Sequence, residues 1–336
     1  MENKMKIADC LVGIGEPCFI IAEAGSNHNG KISQAKELID IASDSGANAV
    51  KFQLFSADTL YSEKATPYSI IRDNELNRDW INELVEYANN KGIIFLSTPF
   101  DKEAIDQLYE IDAPAYKWSS LEIVNLPLLR YASSKGKPII ISTGVSNLAD
   151  IQDALDAVYA SGNREVILLH CASLFEYPQK PHLVNLRMID TMAAAFHVPV
   201  GFSDHTLSIS IPAAAVARGA CVIEKHFTIS RKLKGPDHSF ALEANELKQM
   251  VKAIREVEES LGSPIKQAIP EEEMVVPQRP SVIASVNIKK GTKITEDMMM
   301  IKRPGYGVKP KFANIIVGRV AIKDIEKGDG ITWEAI

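Results

Sequence analysis

The sequence predicts an α/β protein in which eight strand–helix units close into a barrel and a small β-rich domain follows. Eight short apolar runs recur along the chain, a segment with helical period follows each of them, and the composition changes after Gly262. Continuous rather than alternating hydrophobicity indicates strands buried on both faces, as in a parallel sheet. Eight such units are typical of a TIM (β/α)8 barrel of ~250 residues, and a doubly wound open sheet is the structural alternative.

The elements follow one another in a regular order. The predicted strands are 19–24, 49–55, 93–100, 115–120, 138–144, 166–172, 198–204 and 221–227. The predicted helices are 32–45, 80–90, 102–111, 126–134, 148–160, 186–196, 208–218 and 246–261. Gly46 marks the end of the first helix, and Asn147 is a predicted N-cap. Before the first strand, Gly13 and Gly15 predict a hairpin around residues 13–15.

A linker and a second domain follow the barrel. Residues 263–278 contain Pro264, Pro270 and Pro277 beside the acidic run 271–273, which is linker composition. Short β-like runs at 282–286 and 317–322, with Lys-Gly turn signals, predict a β-rich domain of marginal size. The predicted domains are therefore a barrel over 1–262, a linker over 263–278 and a small domain over 279–336.

Composition excludes several classes of protein. The 336 residues are 46% hydrophobic and 24% charged with a net charge of −6, which argues against a broad nucleic-acid footprint. The N-terminus lacks a signal-peptide core, and no apolar run is long enough to span a membrane. The four cysteines form no CxxC pair, which is typical of reduced thiols. Together these three observations predict a cytoplasmic protein. Neither GxGxxG nor GxxxxGK[ST] is present, so we expect no dinucleotide or P-loop site.

Two histidines stand at the carboxyl ends of neighbouring predicted strands, where barrel enzymes place their active sites. Alternation along 221–227 puts Glu224 and His226 on one face, and His205 follows the run 198–204. Two imidazoles at one rim are the start of a site for a borderline divalent metal. Each histidine alone is also explained as a core residue bonded to a neighbour.

Lysines and hydroxyls gather at the same rim. Lys51 and Lys117 would be buried there, and a buried lysine is costly unless it is paired or meets an anion. With serine and threonine donors they predict a cradle for phosphate or carboxylate, although one inward lysine is also explained as a Schiff-base nucleophile or a structural ion pair. The other polar strand ends include Glu23, His170 and Ser142-Thr143-Gly144. A metal would polarise a carbonyl and Glu23 would move a proton or position a water, which suits carbon–carbon bond formation between an anionic enol and an aldehyde.

Longer strings resemble one enzyme family. They are FIIAEAGSNHNG (19–30), AVKFQ (49–53), LSTPFD (96–101), KWSS (117–120), STG (142–144), GFSDHT (201–206), EKHFT (224–228) and GPDHSFAL (235–242). These strings are similar to strings of the sialic acid synthases, in the same order and over essentially the whole chain. The tail, which begins at Arg279-Pro280-Ser281, resembles the antifreeze-like SAF domain, a β-clip, that ends those enzymes.

The resemblance implies an N-acetylneuraminate synthase, which condenses phosphoenolpyruvate with N-acetylmannosamine and releases phosphate. The alternative within the family is a legionaminic or pseudaminic acid synthase acting on a 2,4-diacetamido-2,4,6-trideoxyhexose. The resemblance also implies a divalent metal, most often Mn²⁺ with Mg²⁺ or Co²⁺ as alternatives, polysaccharide biosynthesis as the setting, and a domain-swapped homodimer.

The resemblance further assigns roles to residues of this chain. Glu23 and Glu224 would be catalytic, and His205 and His226 would bind the metal. The phosphoenolpyruvate site would consist of Lys51, Thr98, Lys117, Ser120, Ser173 and Ser203. The sugar site would consist of Gln53, Phe100, Tyr177, Asp237 and, from the partner subunit's small domain, Arg279.

One segment departs from the family pattern. Where the family has His-Cys-Thr-Ser/Asn-x-Tyr-Pro, residues 170–178 have Ser173 in place of the asparagine and extra residues before Tyr177. Two other classes of function stay open from the sequence. One is a metal-free Schiff-base aldolase using Lys117 or Lys225, and the other is a non-enzymatic barrel whose small domain binds polysaccharide or serves assembly.

Overall fold

In the computed structural model, which describes residues 4–173 and 177–336, close packing divides the chain into two units, 1–262 and 263–336. The strands of the first unit are β1 (Met5–Ile7), β2 (Cys10–Val12), β3 (Phe19–Gly25), β4 (Ala49–Leu54), β5 (Ile94–Pro99), β6 (Tyr116–Trp118), β7 (Ile139–Ser142), β8 (Val166–Cys171), β9 (Val200–Asp204), β10 (Val222–Thr228) and β11 (Leu242–Glu243). Its helices are α1 (Ile32–Asp44), α2 (Ala57–Leu60), α3 (Tyr68–Arg72), α4 (Ile81–Asn90), α5 (Lys102–Glu110), α6 (Leu126–Ser133), α7 (Leu148–Ala160), α8 (Met188–Phe196), α9 (Ser210–Ala217) and α10 (Ala244–Leu261).

The strands β3 to β10 form a closed parallel barrel. They pair in sequence order, and β10 pairs with both β9 and β3, which closes the ring. The predicted TIM barrel is confirmed, and the open sheet is excluded. No helix of the described residues is long and apolar enough to cross a bilayer.

Local signals explain the helices that follow the strands. Helix α1 buries Ala35, Leu38, Ile39 and Ala42, which recur at helical spacing, and Gly46 takes a positive φ of 82° just after it. The side chain of Asn147 accepts hydrogen bonds from the amides at the start of α7, so the predicted cap is confirmed.

The N-terminal hairpin lies elsewhere than predicted. Strand β1 pairs antiparallel with β2, so the chain reverses at Ala8 and Asp9 rather than around residues 13–15. Ala8 adopts a left-handed φ of 50° and makes the turn without a glycine. The Gly13 and Gly15 signal therefore marks the loop that leads into β3.

The second unit has its own small core. Strand β12 (Ser281–Ala284) pairs antiparallel with β13 (Met299–Lys302), and helix α11 spans Ala313–Ile316. The predicted run at 317–322 contributes one isolated bridge, Lys293 to Val320, rather than a strand. Within the predicted linker, Pro270–Gln278 forms a 3-10 helix. The core of the unit consists of Val282, Ala284, Ile288, Ile294, Val308, Ile316, Ala321, Ile325, Ile331 and Ala335.

Candidate active site

The inward-facing side chains of the barrel change from apolar to polar along each strand. Ile21, Ala49, Leu96, Ala115, Ile140 and Val222 belong to an inner apolar cluster. Two residues further along the chain stand Glu23, Lys51, Thr98, Lys117, Ser142 and Glu224. Because side chains two apart share a face of a strand, these polar groups meet at the carboxyl end of the barrel. They surround a cavity of about 520 Å³, a size that holds small substrates.

Every site residue predicted on the barrel lines this cavity. They are Glu23, Lys51, Gln53, Thr98, Phe100, Lys117, Ser120, Ser173, Tyr177, Ser203, His205, Glu224, His226 and Asp237. Arg279 is exposed in the second unit, and its role stays a prediction. The predicted insertion before Tyr177 lies at residues 174–176, outside the described residues.

Two lysines and two carboxylates form a buried charge network at the floor of the cavity. Lys51 Nζ lies 2.9 Å from Glu23 Oε2, 3.6 Å from Glu224 Oε2 and 2.9 Å from Thr98 Oγ1. Lys117 Nζ lies 3.4 Å from Glu224 Oε1. All four charged residues are at most 5% exposed. The ammonium groups are therefore held in place and face the cavity before any anion arrives.

The pKa values of the two carboxylates are shifted in opposite directions. Burial raises the pKa of Glu23, and the negative charge of Glu224 raises it further against the opposing effect of Lys51. Burial also acts to raise the pKa of Glu224, but Lys117 and Lys51 outweigh it and hold that pKa at about 2. Glu224 is thus ionised at neutral pH, and Glu23 is the weaker acid of the two.

The histidines His205 and His226 stand side by side, with ring centroids 5.2 Å apart. Tyr177 and Phe240 pack around them, at 5.1 Å from the His205 ring and 4.9 Å from the His226 ring. Cys171 Sγ lies 3.9 Å from His205 Nδ1. Burial lowers the pKa of His226 to about 3, so its imidazole is neutral at neutral pH.

This pair fits the donor set of a borderline divalent metal. The Nδ1 atom of His226 is buried and has no hydrogen-bond partner among the described residues, although a buried ring nitrogen ordinarily has one. Among residues 4–173 and 177–336, no group of three or more His, Cys, Asp or Glu side chains could hold a metal ion by itself. The chain thus offers two imidazoles, and water and substrate oxygens would supply the remaining ligands.

Two further polar residues of the predicted rim lie outside the cavity. His170 Nε2 bonds to the Val184 carbonyl oxygen at 2.7 Å, and its ring stacks on Phe202, so it is a structural histidine. Lys225 points to the opposite side of β10 and pairs with buried Asp204. A Schiff-base role for Lys225 in this cavity is therefore wrong, because strand alternation turns its ammonium away from the site.

Sequence reasoning gave no role to several residues that line the cavity, among them Ser142 and Phe240. The Ser142 hydroxyl is buried, has no hydrogen-bond partner among the described residues and lines the cavity. Its position two residues after inward-facing Ile140 would have identified it. Phe240 covers both imidazoles from a 3-10 helix, His238–Phe240. Phe240 directly follows the string Gly-Pro-Asp-His-Ser, and that position could have indicated a place in the site.

Comparison with known proteins identifies the family. Residues 38–266 match the model of the NeuB family, and residues 279–336 match the SAF domain. This chain belongs to the NeuB family. It is therefore a carbon–carbon bond-forming enzyme of a family of phosphoenolpyruvate-dependent nonulosonic acid synthases.

Individual relatives cover nearly the whole chain. The N,N'-diacetyllegionaminic acid synthase of Legionella pneumophila is 40% identical over 96% of each protein. The N-acetylneuraminate-9-phosphate synthase of Homo sapiens is 36% identical over 97% of this chain and 94% of its own length. The crystal structure of the spore coat polysaccharide biosynthesis protein SpsE of Bacillus subtilis superposes with a TM-score of 0.71 at 38% identity and covers 99% of each chain.

Proposed function

We propose that this enzyme condenses phosphoenolpyruvate with an unphosphorylated N-acetylated hexosamine, and that a divalent metal on His205 and His226 assists the reaction. The observation that carries the proposal is one cavity that holds a lysine pair, two carboxylates of which Glu224 is the more acidic, and two imidazoles. Separate packing roles for these six groups would not bring them to one point.

Lys51 and Lys117 would bind the charged groups of the donor. Both ammonium groups are buried; Lys51 Nζ donates to Thr98 Oγ1, and Ser203 Oγ donates to Glu224 Oε1, each at 2.9 Å. Ser120 Oγ accepts a bond from the Gly144 amide at 2.9 Å, and its hydroxyl lines the same cavity, where it would reach a phosphate oxygen. Charge-assisted bonds of this kind are the strong ones for phosphate and carboxylate.

Glu23 would transfer a proton in the reaction. Gln53 Nε2 donates to Glu23 Oε1 at 2.7 Å, and Lys51 contacts the other oxygen, so the carboxyl group has a fixed orientation. Burial raises its pKa above the ordinary value for a glutamate, which is the direction that favours proton transfer by this group. Bond formation would join the enol carbon to the aldehyde carbon, whose oxygen takes up a proton. Water would add to the donor carbon that carries the phosphate and give up its proton, and the carbon–phosphate-oxygen bond would break to leave a ketone and free phosphate.

His205 and His226 would hold the metal, for which we propose Mn²⁺. When bound there, a divalent metal acts as a Lewis acid toward the aldehyde oxygen. Tyr177 and Phe240 pack against the imidazoles, and burial keeps His226 neutral and able to act as a ligand.

The cavity lining supports an acceptor without phosphate. Lys51 and Lys117 are the lysines among the described residues that line it, none of those residues is arginine, and both ammonium groups already face carboxylates. The greater identity to the Legionella synthase than to the human 9-phosphate synthase supports a 2,4-diacetamido-2,4,6-trideoxyhexose. N-acetylmannosamine, implied by the sequence resemblance, is the second candidate.

The proposal is tested by phosphate release from phosphoenolpyruvate with Mn²⁺ and three acceptors: the diacetamido sugar, N-acetylmannosamine and N-acetylmannosamine 6-phosphate. We expect release that requires both metal and an unphosphorylated acceptor, and a loss of about 10²-fold or more in Glu23→Gln. Release with the 6-phosphate alone would contradict the acceptor proposal. No release with any acceptor would contradict the function.

The domain-swapped homodimer is tested by complementation. Glu23→Gln and Arg279→Ala subunits, each inactive alone, are mixed, unfolded and refolded together. Random pairing makes about half of the dimers mixed. If Arg279 acts on the partner's barrel, one of the two sites in each mixed dimer has both Glu23 and Arg279, so about a quarter of wild-type activity returns. Absence of recovery, with dimers present by light scattering, would mean that Arg279 serves its own barrel or neither.

A further inference from the structure

A buried ammonium group lies directly behind the two histidines. Lys225 stands on β10 between Glu224 and His226, and its side chain points to the opposite face of the strand. It is 0% exposed, and it is in register with Asp204 of β9, which is also 0% exposed. No role in the proposed reaction uses this pair.

Lys225 bonds to the residues on both sides of His205 in the chain. Its Nζ atom donates to Asp204 Oδ2 and to the Thr206 carbonyl oxygen, and it lies 3.3 Å from the Ser208 carbonyl oxygen. Asp204 in turn accepts bonds from the Thr206 amide at 2.9 Å and from its hydroxyl at 3.1 Å. Both neighbours of His205 in the chain are therefore tied to one ammonium group.

We propose that the Lys225–Asp204 pair positions His205 opposite His226 for a shared metal ion. The inference rests on the metal site of the proposed function. Lys225 moves with His226 because they are adjacent on β10, and its bonds to residues 204, 206 and 208 hold the turn that carries His205. The pair thus sets the separation of two ligands that come from different strands.

Energetics favour a positioning role over a stabilising one. A buried ion pair must repay the removal of two charges from water, and apolar residues of similar volume stabilise a core as well or better. A charge pair differs from apolar residues in that its bonds are directional, because an ammonium group bonds only to carbonyl and carboxylate oxygens that lie at suitable distances and angles. Groups behind metal ligands commonly change metal affinity 10- to 100-fold when they are lost.

The test variant is Lys225→Met with Asp204→Leu, because the double change leaves no unpaired buried charge. The control is Arg255→Met, which removes a cation that bonds the Cys18 carbonyl oxygen and Asn48 just before β3 and β4, at the other end of the barrel. Mn²⁺ affinity is measured by the electron paramagnetic resonance signal of the free ion, and stability by urea unfolding in a chelator.

We expect the double variant to fold and its Mn²⁺ dissociation constant to rise about 10- to 100-fold, while that of the control keeps the wild-type value. Unchanged affinity in a folded double variant, or an equal loss in the control, would overturn the inference and leave the proposed function intact. A wild-type enzyme that binds no Mn²⁺ would overturn the metal site itself, and this inference with it. If the double variant does not fold, Asp204→Asn replaces it under the same criteria.

Discussion

Gly25 lies against two side chains of the site, and its lack of a side chain keeps them in place. A Cβ atom there would lie 2.6 Å from Asp237 Oδ2 and 3.4 Å from His226 Cε1, at a left-handed φ of 52°. We expect Gly25→Ala to displace Asp237, which accepts a bond from the Ser26 amide at 3.1 Å, and to raise the KM for the sugar about 10-fold. Steady-state kinetics with varied acceptor and saturating phosphoenolpyruvate measure this.

Gly30→Ala is the matched control for that substitution. Gly30 has a φ of 65° with nothing within 4 Å of its added Cβ, so both variants meet the same backbone cost of about 1–2 kcal/mol. Only Gly25→Ala should change the kinetics. An equal rise in KM in both variants would mean that strain in the loop, rather than contact with Asp237, is responsible.

The neutral imidazole of His226 makes stability depend on pH. Its pKa is about 3 in the folded chain against 6.5 ordinarily, so below pH 6.5 the unfolded chain binds a proton that the folded chain does not. This contribution is fully present above pH 6.5 and is lost as the pH falls toward 3. Between pH 7 and pH 5 the metal-free enzyme should lose about 2 kcal/mol from this group.

His226→Gln should remove that part of the slope. Urea unfolding at pH 7 and pH 5 in a chelator measures it, and His182→Gln, at an exposed histidine, should keep the wild-type difference. Equal pH slopes in the His226 variant and the wild type would show that this imidazole is protonated in the folded chain.

At the scale of elements, apolar runs and helical period were enough to predict the barrel. The strand period of two also placed the site, because a polar residue two positions after an inward apolar one must face the rim. The strand period could not predict that the pKa of Glu23 is raised and that of Glu224 lowered. That difference depends on the distances to Lys51 and Lys117, which lie on strands far apart in sequence. The N-terminal turn was misplaced because Ala8 adopts a conformation that composition assigns to glycine.

Closure of the barrel between β9 and β10 depends on Gly201. A Cβ there would lie 2.4 Å from the Val222 carbonyl oxygen and 2.7 Å from Leu169 Cδ2, both parts of neighbouring strands. Gly201→Ala should therefore force β9 away from β10 and lower the free energy of unfolding by about 3 kcal/mol. Gly162→Ala, where the Cβ meets open space, should cost about 1–2 kcal/mol for its left-handed backbone alone. Urea unfolding compares the two, and equal losses would contradict tight closure at this point.

At the scale of the whole molecule, the two units have separate cores. The apolar clusters of the barrel contain only residues of 1–262, and the cluster of the second unit begins at Val282. Since each core is complete within its own segment, the fragment 1–262 should fold alone. We expect it to show a cooperative thermal transition by circular dichroism.

The same fragment should separate donor binding from acceptor use. Lys51, Lys117 and both histidines stay with the barrel, so calorimetry should give a phosphoenolpyruvate affinity close to that of the full chain. Arg279 leaves with the second unit, so phosphate release should fall at least as far as in full-length Arg279→Ala, by about 10²-fold if a buried charged bond to the acceptor is lost. A fragment with full synthase activity would show that the second unit contributes no group to the reaction. A fragment that binds no phosphoenolpyruvate would show that the lysine cradle needs the second unit to form.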